Sequence, residues 1–139
     1  MINYIKALRI AFVAHRGQYD KGGKPYIWHP INVSKGVKDK YAKVVALLHD
    51  VLEDSDKFTI EDFNFLNNEQ KQSLLLLKHD KCVPYFDYID NIKADKIAKE
   101  VKIQDLKQNM NLTRLKEITI KDIEREKKYI EALEKLMQI

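Results

Sequence analysis

Cysteine, glycine and proline are scarce in this chain. One cysteine, Cys82, stands among 139 residues. That excludes a disulfide framework and a cysteine-rich zinc site, and Cys82 itself reads as a small half-buried thiol rather than a nucleophile. With four glycines and three prolines in total, Gly22, Gly23 and Pro25 mark the one Gly/Pro-rich loop, within RGQYDKGGKPYIWHP. A Gly-rich, kinase-like phosphate loop is absent. Long apolar runs are missing as well: none approaches the length that spans a membrane. The N-terminal MINYIKALRIAF is amphipathic and lacks the apolar core of a signal peptide. The expectation is a soluble, cytoplasmic protein with no membrane partner. A large excess of one charge is also lacking. Lys and Arg number 25 against 21 Asp and Glu, for a net charge of +4. The lysines are scattered, which argues against a nucleic-acid footprint, whereas a small anionic substrate fits the mild positive balance.

What is present is helical periodicity over an ordinary apolar fraction of 45%. Ile5, Leu8, Ile10, Phe12 and Val13 recur at three- and four-residue spacings and predict a first helix to about His15. A second helix is expected from near Pro30, a residue suited to a first helical turn, to near Gly36. A third is expected from Tyr41 to about Asp54. Thr59 starts a short helical segment in TIED, with an acidic residue three places on. Further helices are predicted in NEQKQSLLLLKHD, in VPYFDYIDNIK with Pro84 near its start, and in DKIAKEVKIQDLKQNMNL from Ile97. Thr119 can cap a last amphipathic helix, KDIEREKKYIEALEKLMQI. No alternating strand pattern appears. The predicted class is all-α, a bundle of six or more short helices, with residues 1–139 as one domain.

The stretch ALLHDVLEDSD, Ala46 to Asp56, interrupts this pattern. If the third helix is continuous, Val44, Val45, Leu47, Leu48, Val51 and Leu52 cover most of its circumference, and such a helix should be buried. Burying His49, Asp50, Glu53 and Asp54 there without partners costs roughly 2–7 kcal/mol for each polar group, and more for a charge. A bound cation offsets that cost. His49 and Asp50 can both reach one ion, with Glu53 and Asp54 one turn beyond them to handle water and protons. Further ligands are needed. His29, between the Gly-rich loop and Pro30, is the best histidine, and Asp105, beside Ile103 and Leu106, the best carboxylate. His15 reads as a helix-end residue interacting with carbonyls, and His79 as a capping or packing residue. Phe12, Tyr26 and Trp28 read as core aromatics. Lys21, Lys24 and Lys107 read one by one as surface charges.

At these residues the chain resembles a known family. AHRGQYDKGGKPYIWHP, ALLHDVLEDS and VKIQDLKQNMNLTRL are similar to three successive signatures of the HD-domain hydrolases of the RelA/SpoT type, and closest to the small single-domain (p)ppGpp hydrolases related to the metazoan SpoT homologue. The resemblance extends to the final KKYIEALEKL. It implies an all-α HD fold and one Mn²⁺ held by His29, His49, Asp50 and Asp105. It implies Glu53 and Asp54 as the catalytic acidic pair, Lys21 beside the nucleobase and Asn109 on the nucleoside. Three positions depart from the family pattern: Asp20 and Leu106, where long members have arginine, and Gln108, where the family usually has histidine.

The activity so implied is Mn²⁺-dependent removal of the 3′-pyrophosphate of (p)ppGpp, a stringent-response nucleotide, giving GDP or GTP and pyrophosphate. Synthesis is not expected, since 139 residues leave no room for a second domain. Two alternatives stay open: an HD phosphatase acting on another nucleotide, such as the 2′-phosphate of NADPH, and a nucleotide-binding regulator without turnover. The terminal helix can pack on its own domain or on a partner, so the oligomeric state is open too.

Overall fold

The computed structural model describes residues 1–110 and 117–138. The regular secondary structure of the described residues is helical. Its elements are α1 (Ile2–Ala14), α2 (Trp28–Gly36), α3 (Lys40–Leu48), α4 (Val51–Asp54), a 3-10 turn (Ile60–Asp62), α5 (Asn68–Leu77), α6 (Tyr85–Lys93), α7 (Lys96–Asn109) and α8 (Ile120–Met137). Among the described residues the β pairing amounts to one isolated bridge, Tyr19 to Pro25, which closes the Gly-rich loop. The all-α expectation holds. The predicted end of the α7 segment at 111–112, and the 111–115 part of the third signature, lie outside the described residues.

Short polar side chains start α3, α5, α7 and α8. Asp39 accepts from the backbone N–H groups of Tyr41 and Ala42 at the head of α3. Asp95 does the same for Ala98 in α7. Asn67–Gln70 and Thr119–Asp122 form reciprocal capping boxes on α5 and α8. Each cap satisfies amides that have no partner within the helix, a contribution of about 1 kcal/mol. Thr59 builds a similar box on the 3-10 turn.

The core forms around α3, which packs against α1, α2, α5 and α7. Val44 to Leu48 are buried in sequence, so the second half of α3 is apolar all round, as expected for a central helix. Each fully buried side chain such as Leu47 or Leu48 contributes about 1.5–3 kcal/mol over its exposed state. Helix α8 closes the other side against α6 and α7.

Several expectations are corrected. The third helix does not run to Asp54; it stops at Leu48 and resumes as α4 at Val51. His49 and Asp50 form the break, with Asp50 at φ −102°, ψ −3°. Both side chains point from the break toward one centre, His49 Nε2 lying 3.1 Å from Asp50 Oδ2. Helix α1 fully buries Ala7, Ala11 and Ala14 and packs Tyr4, Leu8 and Ile10 partly buried against the core; Ile5, Phe12 and Val13 are exposed. Alanine on the buried stripe lets α1 approach α3 closely, and larger side chains would hold them apart. Trp28 is 52% exposed and not a core aromatic. Cys82 is exposed rather than half-buried. The second helix starts at Trp28, two residues before Pro30. Leu106 is fully buried, so its apolar side chain serves packing.

Candidate metal centre

Three separate segments bring the predicted ligands together. His29 is the second residue of α2, directed inward after turns that bond Trp28 N–H to the Pro25 carbonyl and His29 N–H to that of Tyr26. His49 and Asp50 come from the α3–α4 break, and Asp105 from the last turns of α7. One donor atom from each of these four residues lies within 4.8 Å of every other. His29 Nε2 is 2.7 Å from Asp105 Oδ1 and 3.7 Å from Asp50 Oδ2. His49 Nε2 is 3.1 Å from Asp50 Oδ2 and 3.4 Å from Asp105 Oδ1. Both imidazoles and Asp105 are buried.

The tautomer of His49 tests whether these residues suit a cation. Its Nδ1 faces the Ala46 carbonyl at 2.5 Å. A carbonyl only accepts, so Nδ1 carries the proton and donates. Neutral His49 therefore presents the lone pair of Nε2, a buried atom with no hydrogen-bond partner, toward two carboxylates. Lone pair facing carboxylate is repulsive unless a proton or a metal ion lies between them. A neutral imidazole held by a backbone carbonyl through its other nitrogen is also the usual second contact of a metal-bound histidine. Two imidazole nitrogens and two carboxylate oxygens suit a first-row divalent ion.

The electrostatics agree. Burial opposes charge on His49, but Asp50 and Asp105 outweigh it and hold its pKa well above the ordinary range. Burial pushes Asp50 and Asp105 up, yet His49 pulls Asp50 well down. For Asp105, Lys102 leads the opposite pull, and the two histidines add to it. The centre is thus built to keep both carboxylates ionised beside positive charge.

Supporting side chains hold the carboxylates. Tyr26 donates its hydroxyl to Asp50 Oδ2 at 2.5 Å, so it is not simply a core aromatic. Burial and the Asp50 charge raise its pKa, keeping the phenol protonated as a donor. Lys102 Nζ donates to Asp105 Oδ2 at 2.9 Å, and Asn109 Nδ2 to Asp105 Oδ1 at 3.1 Å. Asn109 therefore touches a candidate ligand, a contact the sequence did not suggest. Sequence reasoning also missed Lys102; its signal was a lysine three residues before a buried aspartate on one helix.

Glu53 and Asp54 project from α4 beside the four donors. Glu53 Oε1 accepts the backbone N–H of His79. Asp54 keeps its one-turn relation to Asp50, through a bond from Asp54 N–H to the Asp50 carbonyl at 2.9 Å. Partial burial, then the charges of Asp50 and Glu53, push the Asp54 pKa up to about 6. A cavity of about 130 Å³ opens here, lined by His49, Asp50, Glu53, His79, Tyr85 and Lys102 among others.

The other residues weighed from the sequence have partners of their own. Lys21 is exposed and its Nζ lies 3.4 Å from Asp122 Oδ1, at the cap of α8. Asp20 accepts the Lys24 N–H within the loop turn. His15 does not cap carbonyls through its side chain; its Nδ1 bonds Gln18 Oε1 at 2.9 Å. His79 is a packing residue, bonded to the Val83 carbonyl and stacked on Tyr88.

Comparison with known proteins gives the same direction. No family model matches the chain. It is 53% identical over 55 residues to the guanosine-3′,5′-bis(diphosphate) 3′-pyrophosphohydrolase of Borreliella burgdorferi, covering 37% of this chain and 8% of that one. It is 41% identical over 68 residues to the protein of the same name in Vibrio cholerae, covering 43% of this chain and 10% of that one. The chain thus spans about a tenth of the length of these curated relatives. Among solved structures it matches a metazoan orthologue of SpoT, described as hydrolysing ppGpp. That match has a TM-score of 0.80 and 24% identity, and covers 99% of this chain and 86% of the other. The helical fold of this chain is the fold of that protein. Among the described residues no helix is long and apolar enough to cross a membrane.

Proposed function

We propose that residues 1–139 form one catalytic unit, a metal-dependent hydrolase that removes the 3′-pyrophosphate of (p)ppGpp. The observation that carries this reading is the convergence of His29, His49, Asp50 and Asp105 from three separate segments, in a chain similar to named ppGpp 3′-pyrophosphohydrolases. Those four residues would hold the ion, Mn²⁺ in our reading, which supplies Lewis-acid polarisation of a phosphate oxygen and acidification of water when bound. Glu53 and Asp54 orient the attacking water and take its proton. A carboxyl with a pKa of about 6 is suited to proton transfer near neutrality. The water oxygen bonds to the phosphorus attached to the ribose 3′-oxygen. The 3′-oxygen leaves with the electron pair of the broken P–O bond and is protonated, giving GDP or GTP and pyrophosphate. The cavity of about 130 Å³ is the volume of roughly four waters, enough for a phosphate group beside Lys102. Lys21 and Asn109 are assigned to the nucleoside side of the site. The substrate is a small nucleotide rather than a nucleic acid, and the reaction is placed in the cytoplasm.

The test is product analysis. Purified protein incubated with ppGpp and Mn²⁺, with and without EDTA, is resolved by anion-exchange chromatography. GDP and pyrophosphate, abolished by EDTA, are expected. Unchanged ppGpp from metal-loaded protein would sink the assignment of substrate, and NADPH is then the next nucleotide to try.

A further inference from the structure

Helix α4 carries the acidic pair, yet it is one turn long, Val51–Asp54, and has no side-chain cap at its N-terminus. So short a helix is not stable by itself. Glu53 and Asp54 need an external anchor to keep their places. On the Asp54 side the structure provides one in Gln18.

Gln18 follows Gly17, whose φ of +79° turns the chain sharply after α1. Its backbone is held at both ends: its N–H bonds the His15 carbonyl at 3.0 Å, and its carbonyl accepts the Tyr26 N–H at 2.9 Å. Its side chain is used at both ends as well. Oε1 accepts from His15 Nδ1, which fixes the amide so that Nε2 is the donor. Nε2 then donates to the Asp54 main-chain carbonyl at 2.9 Å, with a weaker bond to the Ala14 carbonyl at 3.3 Å. His15 is 3% exposed, and its ring lies 4.9 Å from that of Tyr26, the donor to Asp50. One small cluster therefore steadies a candidate metal ligand and the end of the acidic turn together.

We infer that Gln18 is a positioning residue for Asp54, oriented by His15, and that the bond from Gln18 Nε2 to the Asp54 carbonyl keeps the α4 turn in register with the metal centre. Its catalytic consequence rests on the proposed hydrolase reading; the structural one does not. The assignment is narrow, since Gln18 touches none of the four candidate ligands and its loss should leave the ion-holding group intact.

The test compares wild type with Q18M, which keeps length and volume but neither donates nor accepts, by amide hydrogen exchange and by steady-state kinetics. Loss of one anchoring bond is expected to speed exchange of the 51–55 amides by about tenfold, with α3 and α7 unchanged. With ppGpp as substrate, kcat should fall by about tenfold at nearly constant KM, with Mn²⁺ affinity kept. H15N, which retains a donor near the place of Nδ1, should be milder than H15L. Unchanged exchange in 51–55 overturns the inference, as does a loss of kcat that tracks loss of Mn²⁺. Faster exchange in a protein whose wild type leaves ppGpp untouched supports the positioning role and overturns the substrate assignment instead.

Discussion

Lys102 Nζ lies 2.9 Å from Asp105 Oδ2, and both side chains are withdrawn from solvent, at 13% and 6% exposure. The other Asp105 oxygen faces His29 and His49. The ion pair therefore aims the carboxylate as well as balancing its charge. Burial opposes charge on Lys102, but Asp105 outweighs it and holds the ammonium pKa well above the usual lysine range. K102M leaves a buried carboxylate short of its partner. Breaking such a pair from one side costs about 3–5 kcal/mol, and the lower end is expected here because the histidines remain. Urea denaturation of wild type and K102M, with and without Mn²⁺, checks this. Mn²⁺ should restore more stability to K102M than to wild type, because the ion supplies the missing positive charge. Equal urea midpoints without Mn²⁺ would show that the pair does not support Asp105.

Ligands and acidic pair should separate under mutation. D50A and D105A each remove one of the four clustered donors, so bound metal and turnover should fall together. E53Q removes a carboxylate outside that group. It should keep near wild-type metal content by elemental analysis, while turnover falls by at least about 100-fold, as for loss of a general acid or base. Metal loss in E53Q would place Glu53 among the ligands and redraw the centre.

Part of this arrangement was legible in the chain, and the legible part has a physical reason. His49, Asp50 and Asp105 are polar residues on apolar helices, and burial without partners is costly, so their convergence could be anticipated. The break at His49–Asp50 could not, because Leu47, Leu48, Val51 and Leu52 keep a helical apolar pattern straight through it. The alanine stripe of α1 was not legible, because apolar periodicity weights Ile5 and Phe12, whereas close approach to α3 selects Ala7 and Ala11. Tyr26 and Gln18 were missed for another reason. Their polar partners, Asp50 and the Asp54 carbonyl, are 24 and 36 residues away, and no local pattern encodes such contacts.

The pH dependence of metal binding follows from His49. Its pKa is raised, with Asp50 and then Asp105 overcoming burial, and a proton on Nε2 occupies the lone pair a cation needs. Metal binding must displace that proton, so Mn²⁺ affinity should keep rising with pH beyond the ordinary imidazole pKa of about 6.5. Folding stability without added metal runs the other way. A histidine pKa raised by folding contributes stability that is fully present below about 6.5 and is lost as pH rises through the folded value. Asp54 acts in the same direction over a lower window. Its pKa of about 6 in the folded chain exceeds the unfolded value of about 3.9, so the native state binds more protons between them and stability falls as pH rises from about 4 to 6. Exposure of Asp54 to solvent reduces the size of that effect. Asp50 and Asp105, both depressed, contribute stability above about 4 that is lost only in stronger acid. Calorimetric Mn²⁺ titrations and urea midpoints at several pH values read both trends on one protein. Affinity rising while metal-free stability declines above pH 6.5 is expected; affinity that levels off at about pH 6.5 would mean that His49 binds its proton no more tightly than a free imidazole.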